Sequence, residues 1–163
     1  MKTGPLSLQK IYFTAVHVSA NPGAKDTDVD NIDVEISPRL NKSPEDVRRW
    51  TVVLTVKFES KQGIIAPYTG QIENIGGFVV DENWKEDQIE KLVYVNASGI
   101  LYASMREMIS IITGRGFFPP LTLPSCSFME MFRALEEARK KEIESSTQPP
   151  LNLSATLPSD AAT

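Results

Sequence analysis

The chain carries one cysteine and one histidine in 163 residues. A single cysteine, Cys126, excludes an internal disulfide, and together with one histidine it excludes the Cys/His clusters that hold zinc. No metal or other cofactor is expected. A lone thiol also suits a reducing compartment, so the expected location is the cytoplasm. No apolar run approaches the roughly 20 residues that a membrane-spanning helix needs. The opening "MKTGPLSLQK" has no apolar segment ahead of a small-residue cleavage site. Neither membrane insertion nor a secretion signal is expected, and the sequons at Asn41, Asn96 and Asn152 stay chemically idle. Concentrated positive charge is missing too: the net charge is -4, with acidic and basic residues interspersed. Without a basic stripe there is no electrostatic footprint for a phosphate backbone, and nucleic acid is not an expected partner.

Material for catalysis is equally thin. His17 lies between Val16 and Val18 in a strand-like pattern and suits a half-exposed surface position. Neither it nor Cys126 has a neighbouring motif for nucleophilic catalysis, so an enzyme is not expected and no catalytic residue is assigned. The run "DTDVDNIDVEIS" opens like a calcium loop at Asp26, Asp28 and Asp30. Its sixth position is Asn31 where the turn needs glycine, and its twelfth is Ser37 where a bidentate glutamate belongs. A solvated acidic loop and strand face is the better reading. Gly76-Gly77 and Gly114-Arg115-Gly116 lack the spacing of phosphate-binding loops.

What is present begins with a period of two from Leu6 to about Val80, the mark of strands with one buried face. In "WTVVLTVKFES", Trp50, Val52, Leu54, Val56 and Phe58 share one face, and Thr51, Thr55, Lys57 and Glu59 the other. "NIDVEISP" alternates likewise, with Ile32, Val34 and Ile36 inward and Pro38 marking its end. A fourth strand runs through "GIIAPYTGQIENIGGFVV", where the paired glycines permit a bulge or bend. In the first, "LSLQKIYFTAVHVSA", Tyr12, Val16 and Val18 point inward and leave Ile11 and Phe13 outward.

After Asp81 the period turns helical. Asn83 with Glu86 forms a capping box for a short helix from Trp84 to Val93, with a kink at residues 96 to 99. The main helix runs from roughly Ala97 to Thr113, capped by Gly114, and Pro119-Pro120 forbid its resumption. A second helix opens at Ser127 and continues through "RALEEARKKEIE". The fold class is therefore α+β, a four-stranded antiparallel sheet packed by a long helix and a second C-terminal helix. Residues 1 to 144 form one domain, and the proline-bearing stretch from 145 to 163 is expected to be a disordered tail.

On the main helix, at about 100° per residue, Leu101, Met105, Met108 and Ile112 centre an apolar arc flanked by Ile100, Tyr102, Ile109 and Ile111. The arc spans roughly 200°, about twice the stripe that one sheet face covers. A second subunit is expected against it, through Ile100, Leu101, Tyr102, Met105, Met108 and Ile112, the alternative being a wide core stripe within a monomer. The connection after the helix, "GRGFFPPLTLPSCSF", is apolar where loops are normally polar. Phe117, Phe118, Leu121, Leu123 and Phe128 lead into Met129, Met131 and Phe132, and prolines hold the stretch extended. Methionines add surface that adapts to different partners. Some of these residues must close the edge of the domain, and since not all of them can, the constellation needs a partner.

"NASGILYASMREMISIITGRGFFPPLTLPSCSFMEMF" resembles the corresponding region of the SecB family of export chaperones, through Arg106-Glu107, Gly114, Arg115, Gly116, Phe118, Pro119, Leu121, Leu123 and Phe128. "LSLQKIYFTAVHVSANPGA" is similar to the family's first strand, and "IENIGGFVV" to its fourth. The resemblance covers about Leu6 to Ile143. It implies a dimer of dimers built through the long helix and edge strands, and an ATP-independent holdase for unfolded polypeptides. The implied client groove is Phe117, Phe118, Leu121, Leu123, Phe128, Met131 and Phe132. Export members engage the SecA motor through acidic residues on the first strand and a Cys/His tail. Here the aligned positions are Ala15 and Ser19, and residues 145 to 163 hold neither residue type, so SecA engagement is not carried over. The resemblance thus leaves protein export beside a dedicated role for one client, such as the antitoxin of a toxin-antitoxin system. Another alternative is an oligomeric adaptor that takes a folded partner on the outer sheet face near Ile11, Phe13 and Glu73.

Overall fold

A computed structural model describes residues 4–25 and 29–146. Asp26, Asp28 and the tail beyond Ser146 lie outside the described residues. Four strands, β1 (Leu6–Ala20), β2 (Ile32–Lys42), β3 (Arg49–Ser60) and β4 (Tyr68–Val80), form one antiparallel sheet in the order β1-β4-β3-β2. Of the described residues, those up to Phe132 make one compact unit, and Arg133 to Ser146 belong to a second. The expected α+β architecture, four antiparallel strands and two main helices, is the one observed.

The sheet's inner face is its apolar face. Val52, Leu54, Val56, Phe58 and Ile72 are fully buried there, each contributing about 1.5–3 kcal/mol relative to exposure. β4 contributes its even-numbered residues to this face and odd-numbered ones, including Glu73, to the other. The side chain of Glu73 accepts from Thr14 at 2.8 Å and Thr55 at 3.1 Å and pairs with Arg39 at 3.1 Å. The two threonine hydroxyls, followed by the guanidinium, hold its carboxyl below its usual range.

Register corrects the reading of β1. Pairing shifts between Leu8 and Lys10 and again between Phe13 and Ala15, so Gln9 and Thr14 are each extra residues. Each bulge reverses the alternation that follows it. Leu6, Leu8, Ile11, Phe13, Val16 and Val18 consequently all pair with inner-face positions of β4, while Tyr12 pairs with outer-face Ile75. Ile11 and Phe13 do not belong to the outer face, which removes the apolar part of the proposed adaptor surface.

Two further boundaries move. β2 runs through Pro38 to Lys42, with Pro38 opposite Leu54. As an edge strand it accommodates a residue without an N–H. β4 begins at Tyr68, leaving Ile64 and Ala66 in the preceding loop. Its paired glycines do not bulge: the ladder to β3 passes unbroken through both, and the irregularity opposite Gly77 and Phe78 is the extra Gln9 of β1. Gly76 is required instead by close packing, since a Cβ there would lie 2.8 Å from the Leu101 side chain.

The helical half starts differently from the expected capping box. Asn83 donates from its backbone and side chain to Asp81 Oδ1, both at 2.9 Å, and does not cap Glu86. A short turn, Glu86–Gln88, leads into α1 (Ile89–Leu92), and a wider turn, Val93–Ala97, leads into α2 (Ser98–Thr113). That wide turn overlaps the expected kink only at Asn96 and Ala97 and begins three residues earlier, while Ser98 and Gly99 belong to α2. α3 (Phe128–Ser146) opens as anticipated, with the Glu130 N–H donating to Ser127 Oγ at 3.3 Å.

Candidate functional site

The connection from Gly114 to Ser127 crosses from the end of α2 to the start of α3, and side chains satisfy its buried backbone. Tyr68 at the start of β4 places its hydroxyl 3.0 Å from both the Thr113 and the Phe118 carbonyls, and the Phe118 N–H donates back at 3.3 Å. The Thr113 hydroxyl donates to Ile109 O at 2.7 Å and accepts from the Leu121 N–H at 2.9 Å. One turn apart on α2, Tyr102 donates to Pro124 O at 2.7 Å and Arg106 to Leu123 O at 3.0 Å. Burial, and then the nearby Cys126, push the Tyr102 phenol up to about 12, so it stays a donor throughout the neutral range.

These anchors turn the loop inward. Leu121 and Leu123 are fully buried, and Phe118, Phe128 and Phe132 are almost so. Phe118 meets Tyr68 edge-on at 5.9 Å, Phe128 meets Tyr102 at 5.7 Å, and Phe132 meets Tyr94 at 5.3 Å. For these five the expectation of a surface left free for another chain is corrected: the protein's own Tyr68, Tyr102 and Arg106 draw the loop onto the core. Phe117 is the opposite case. It is 90% exposed, with its ring edge-on to Phe118 at 5.2 Å. Met131 is half-buried, its sulfur 3.4 Å from that of Cys126.

A groove of about 410 Å³ is lined by Trp84, Gln88, Lys91, Leu92, Val95 and Asn96 and by Met129 at the start of α3. Tyr94, between lining residues Leu92 and Val95 in sequence, and Phe132 are both buried and pack on each other. The Trp84 indole N–H is buried and has no acceptor among the described residues. Sequence periodicity did not reveal this groove, because its walls come from segments more than thirty positions apart. The anchors were in principle visible: a proline-rich apolar loop leaves buried carbonyls that need donors, and Tyr102 and Arg106 stand at helical spacing to supply them.

α2 divides its apolar arc. Leu101, Met105 and Ile109 are fully buried against the sheet, with Tyr102 beside them, whereas Ile100 is 39% and Ile111 51% exposed. Met108 and Ile112 are half-buried. Leu101, Tyr102 and Met105 therefore belong to the chain's own core, which corrects their assignment to a subunit interface; Ile100, Met108 and Ile112 lie towards the uncovered half. β1 is an edge strand of 15 residues with Leu8, Tyr12 and Val16 exposed. His17 faces outward opposite Gln71, and Ser19 outward opposite Thr69. Burial pushes the Cys126 thiol up, away from the reactive thiolate.

Comparison with known proteins places this geometry. Residues 2–139 match the family model described as preprotein translocase subunit SecB. The chain belongs to the SecB family. Among its relatives are proteins named protein-export protein SecB from Psychrobacter cryohalolentis, 27% identical over 85% of this chain and 92% of the relative, and from Anaplasma phagocytophilum, 30% identical over 63% and 70%. Among solved structures, the SecB-like chaperone of Mycobacterium tuberculosis, in complex with a peptide from an antitoxin, has the same fold. Its TM-score is 0.57 at 19% identity, covering 76% of this chain and 91% of that one. Within this SecB-family chain, no helix among the described residues is long and apolar enough to cross a membrane.

Proposed function

We propose that the chain is an ATP-independent chaperone that holds non-native polypeptides, acting in the cytoplasm as a homo-oligomer. Membership in the SecB family carries this reading, and the apolar surface left open on a single chain supports it. The client path runs from the groove of Trp84, Leu92, Val95 and Met129 past Met131 and along the crossover loop to Phe117. Phe118, Leu121, Leu123, Phe128 and Phe132 form its rigid backing. Such a path suits floppy clients. Ordering one residue costs about 1–2 kcal/mol, while one buried large apolar side chain returns about 1.5–3 kcal/mol. Single anchors barely break even, so several anchors on several copies are needed.

The same logic assigns Ile100, Met108, Ile111 and Ile112 to contact with sister copies, with the free edge of β1 extending that contact and a dimer of dimers as the assembly. Export is the role borne in the relatives' names. Capture of one dedicated client, such as an antitoxin segment, is the second reading, favoured by Ala15 and Ser19 standing where export members carry acids. SecA coupling is not part of the proposal. Light scattering is expected to give a mass several times 18.1 kDa, and the protein is expected to suppress aggregation of an unfolded test protein without ATP. An Ile100→Asp, Ile111→Asp variant is expected to fall to smaller species and lose most of that suppression. A monomeric parent, or one that leaves aggregation untouched, would overturn the reading.

A further inference from the structure

The crossover loop reads Pro119-Pro120-Leu121-Thr122-Leu123-Pro124-Ser125, and the end of the chain repeats it in two pieces. Pro149-Pro150-Leu151 duplicates the first three residues, and Thr156-Leu157-Pro158-Ser159 duplicates the last four, with Asn152-Leu153-Ser154-Ala155 between them. In the loop this sequence has a definite use. Its leucines enter the core fully, and its carbonyls, which prolines leave without neighbouring N–H groups, take side-chain donors from Tyr102 and Arg106. A second copy of the sequence is chemically suited to a second site of that kind: apolar slots beside a buried side-chain donor.

The groove at Trp84 offers those features. Leu92, Val95 and Met129 supply apolar walls, and the indole N–H supplies a donor that lacks an acceptor among the described residues. Proline-stiffened segments dock on aromatic-lined grooves with little ordering cost, and their free carbonyls accept from such donors. We infer that residues 149–159 of a neighbouring copy are a built-in ligand of the Trp84 groove, competing with clients for it. The inference rests on the groove being part of the client path. Leu151, Leu153 and Leu157 enter the slots, a segment carbonyl accepts from Trp84 Nε1, and the acidic end at Asp160 lies towards Lys91. At an effective concentration on the order of 1 mM, a weak segment of this kind lowers apparent client affinity about 2- to 10-fold.

The test uses full-length protein with Trp50→Phe, which leaves Trp84 as the reporter, since the chain has two tryptophans. In that background a Leu151→Ser, Leu153→Ser, Leu157→Ser variant is expected to bind an unfolded client peptide about 2- to 10-fold more tightly. A synthetic peptide of residues 147–160 is expected to shift the variant's Trp84 emission to the blue and to restore the weaker client affinity. The peptide bearing the three serines is expected to do neither. In assemblies of light and heavy isotope copies, zero-length amine–carboxyl coupling is expected to join Lys91 to Asp160 with hybrid mass. Equal client affinity for parent and variant, with no emission change, would overturn the inference and leave the chaperone reading standing. An emission change without client binding by either protein would overturn the chaperone reading instead. Links confined to a single isotope would overturn exchange between copies.

Discussion

Replacing Phe117 by aspartate is expected to weaken capture of unfolded polypeptide by about tenfold or more while changing the chain's own stability by no more than about 0.5 kcal/mol. The ring is 90% exposed, so folding gains little from it and loses little without it. Its position is nevertheless fixed. Phe118 packs edge-on at 5.2 Å and is itself tied to Tyr68, while Pro119 and Pro120 keep the following chain extended. A large apolar side chain held out on a stiff support forfeits little entropy when a client covers it. Burying it against a client returns about 1.5–3 kcal/mol, and each 1.4 kcal/mol is a factor of ten in affinity. The aspartate also brings a charge that resists burial. Titration of a labelled unfolded client against parent and variant, with urea unfolding of each, separates the two effects. Unchanged client affinity in a folded variant would remove Phe117 from the site.

Tyr68→Phe is expected to act on stability instead, lowering it by about 2–4 kcal/mol. The hydroxyl shares its proton between the Thr113 and Phe118 carbonyls and accepts the Phe118 N–H. Deleting one oxygen orphans the Phe118 carbonyl and the Phe118 N–H, while the Thr113 carbonyl keeps the Gly116 N–H at 2.9 Å; each orphan costs about 1–3 kcal/mol when left unmade, with partial relaxation reducing the sum. The ring and its edge-on contact with Phe118 at 5.9 Å remain, so the loss reports the hydrogen bonds rather than packing. A lower urea midpoint at unchanged slope checks the magnitude. Amide exchange at Phe118 and Leu121 should accelerate more than exchange in β3, because the hydroxyl holds the crossover loop rather than the sheet. A midpoint shift equivalent to less than about 0.5 kcal/mol would show that the loop is held by other means.

The sheet was legible because its physics is local. In β3 the buried face repeats every second residue, so alternation alone points Val52, Leu54, Val56 and Phe58 inward, and all four are fully buried. β1 misled because the same rule runs through two extra residues, and strict alternation cannot anticipate where Gln9 and Thr14 leave the ladder. On α2 the width of the apolar arc was legible and its division was not. Which half the sheet covers depends on where β4 and Gly76 bring Leu101, a relation between distant segments. The crossover loop shows the same limit. Its apolar character stands out in the sequence, but its inward turn comes from the Tyr68 hydroxyl, some fifty positions earlier. Trp84 joined the site for a similar reason: Met129 already stands in the apolar constellation, but nothing in the sequence pairs it with a tryptophan 45 positions earlier.

A photoreactive benzoylphenylalanine at position 117 tests the chaperone reading most directly, with one client protein supplied in two states, unfolded and native. The account predicts an adduct with the unfolded state, displaced by excess unlabelled unfolded chain, and none with the native state. Equal labelling of both states, or labelling of neither by an assembled and folded variant, would contradict it.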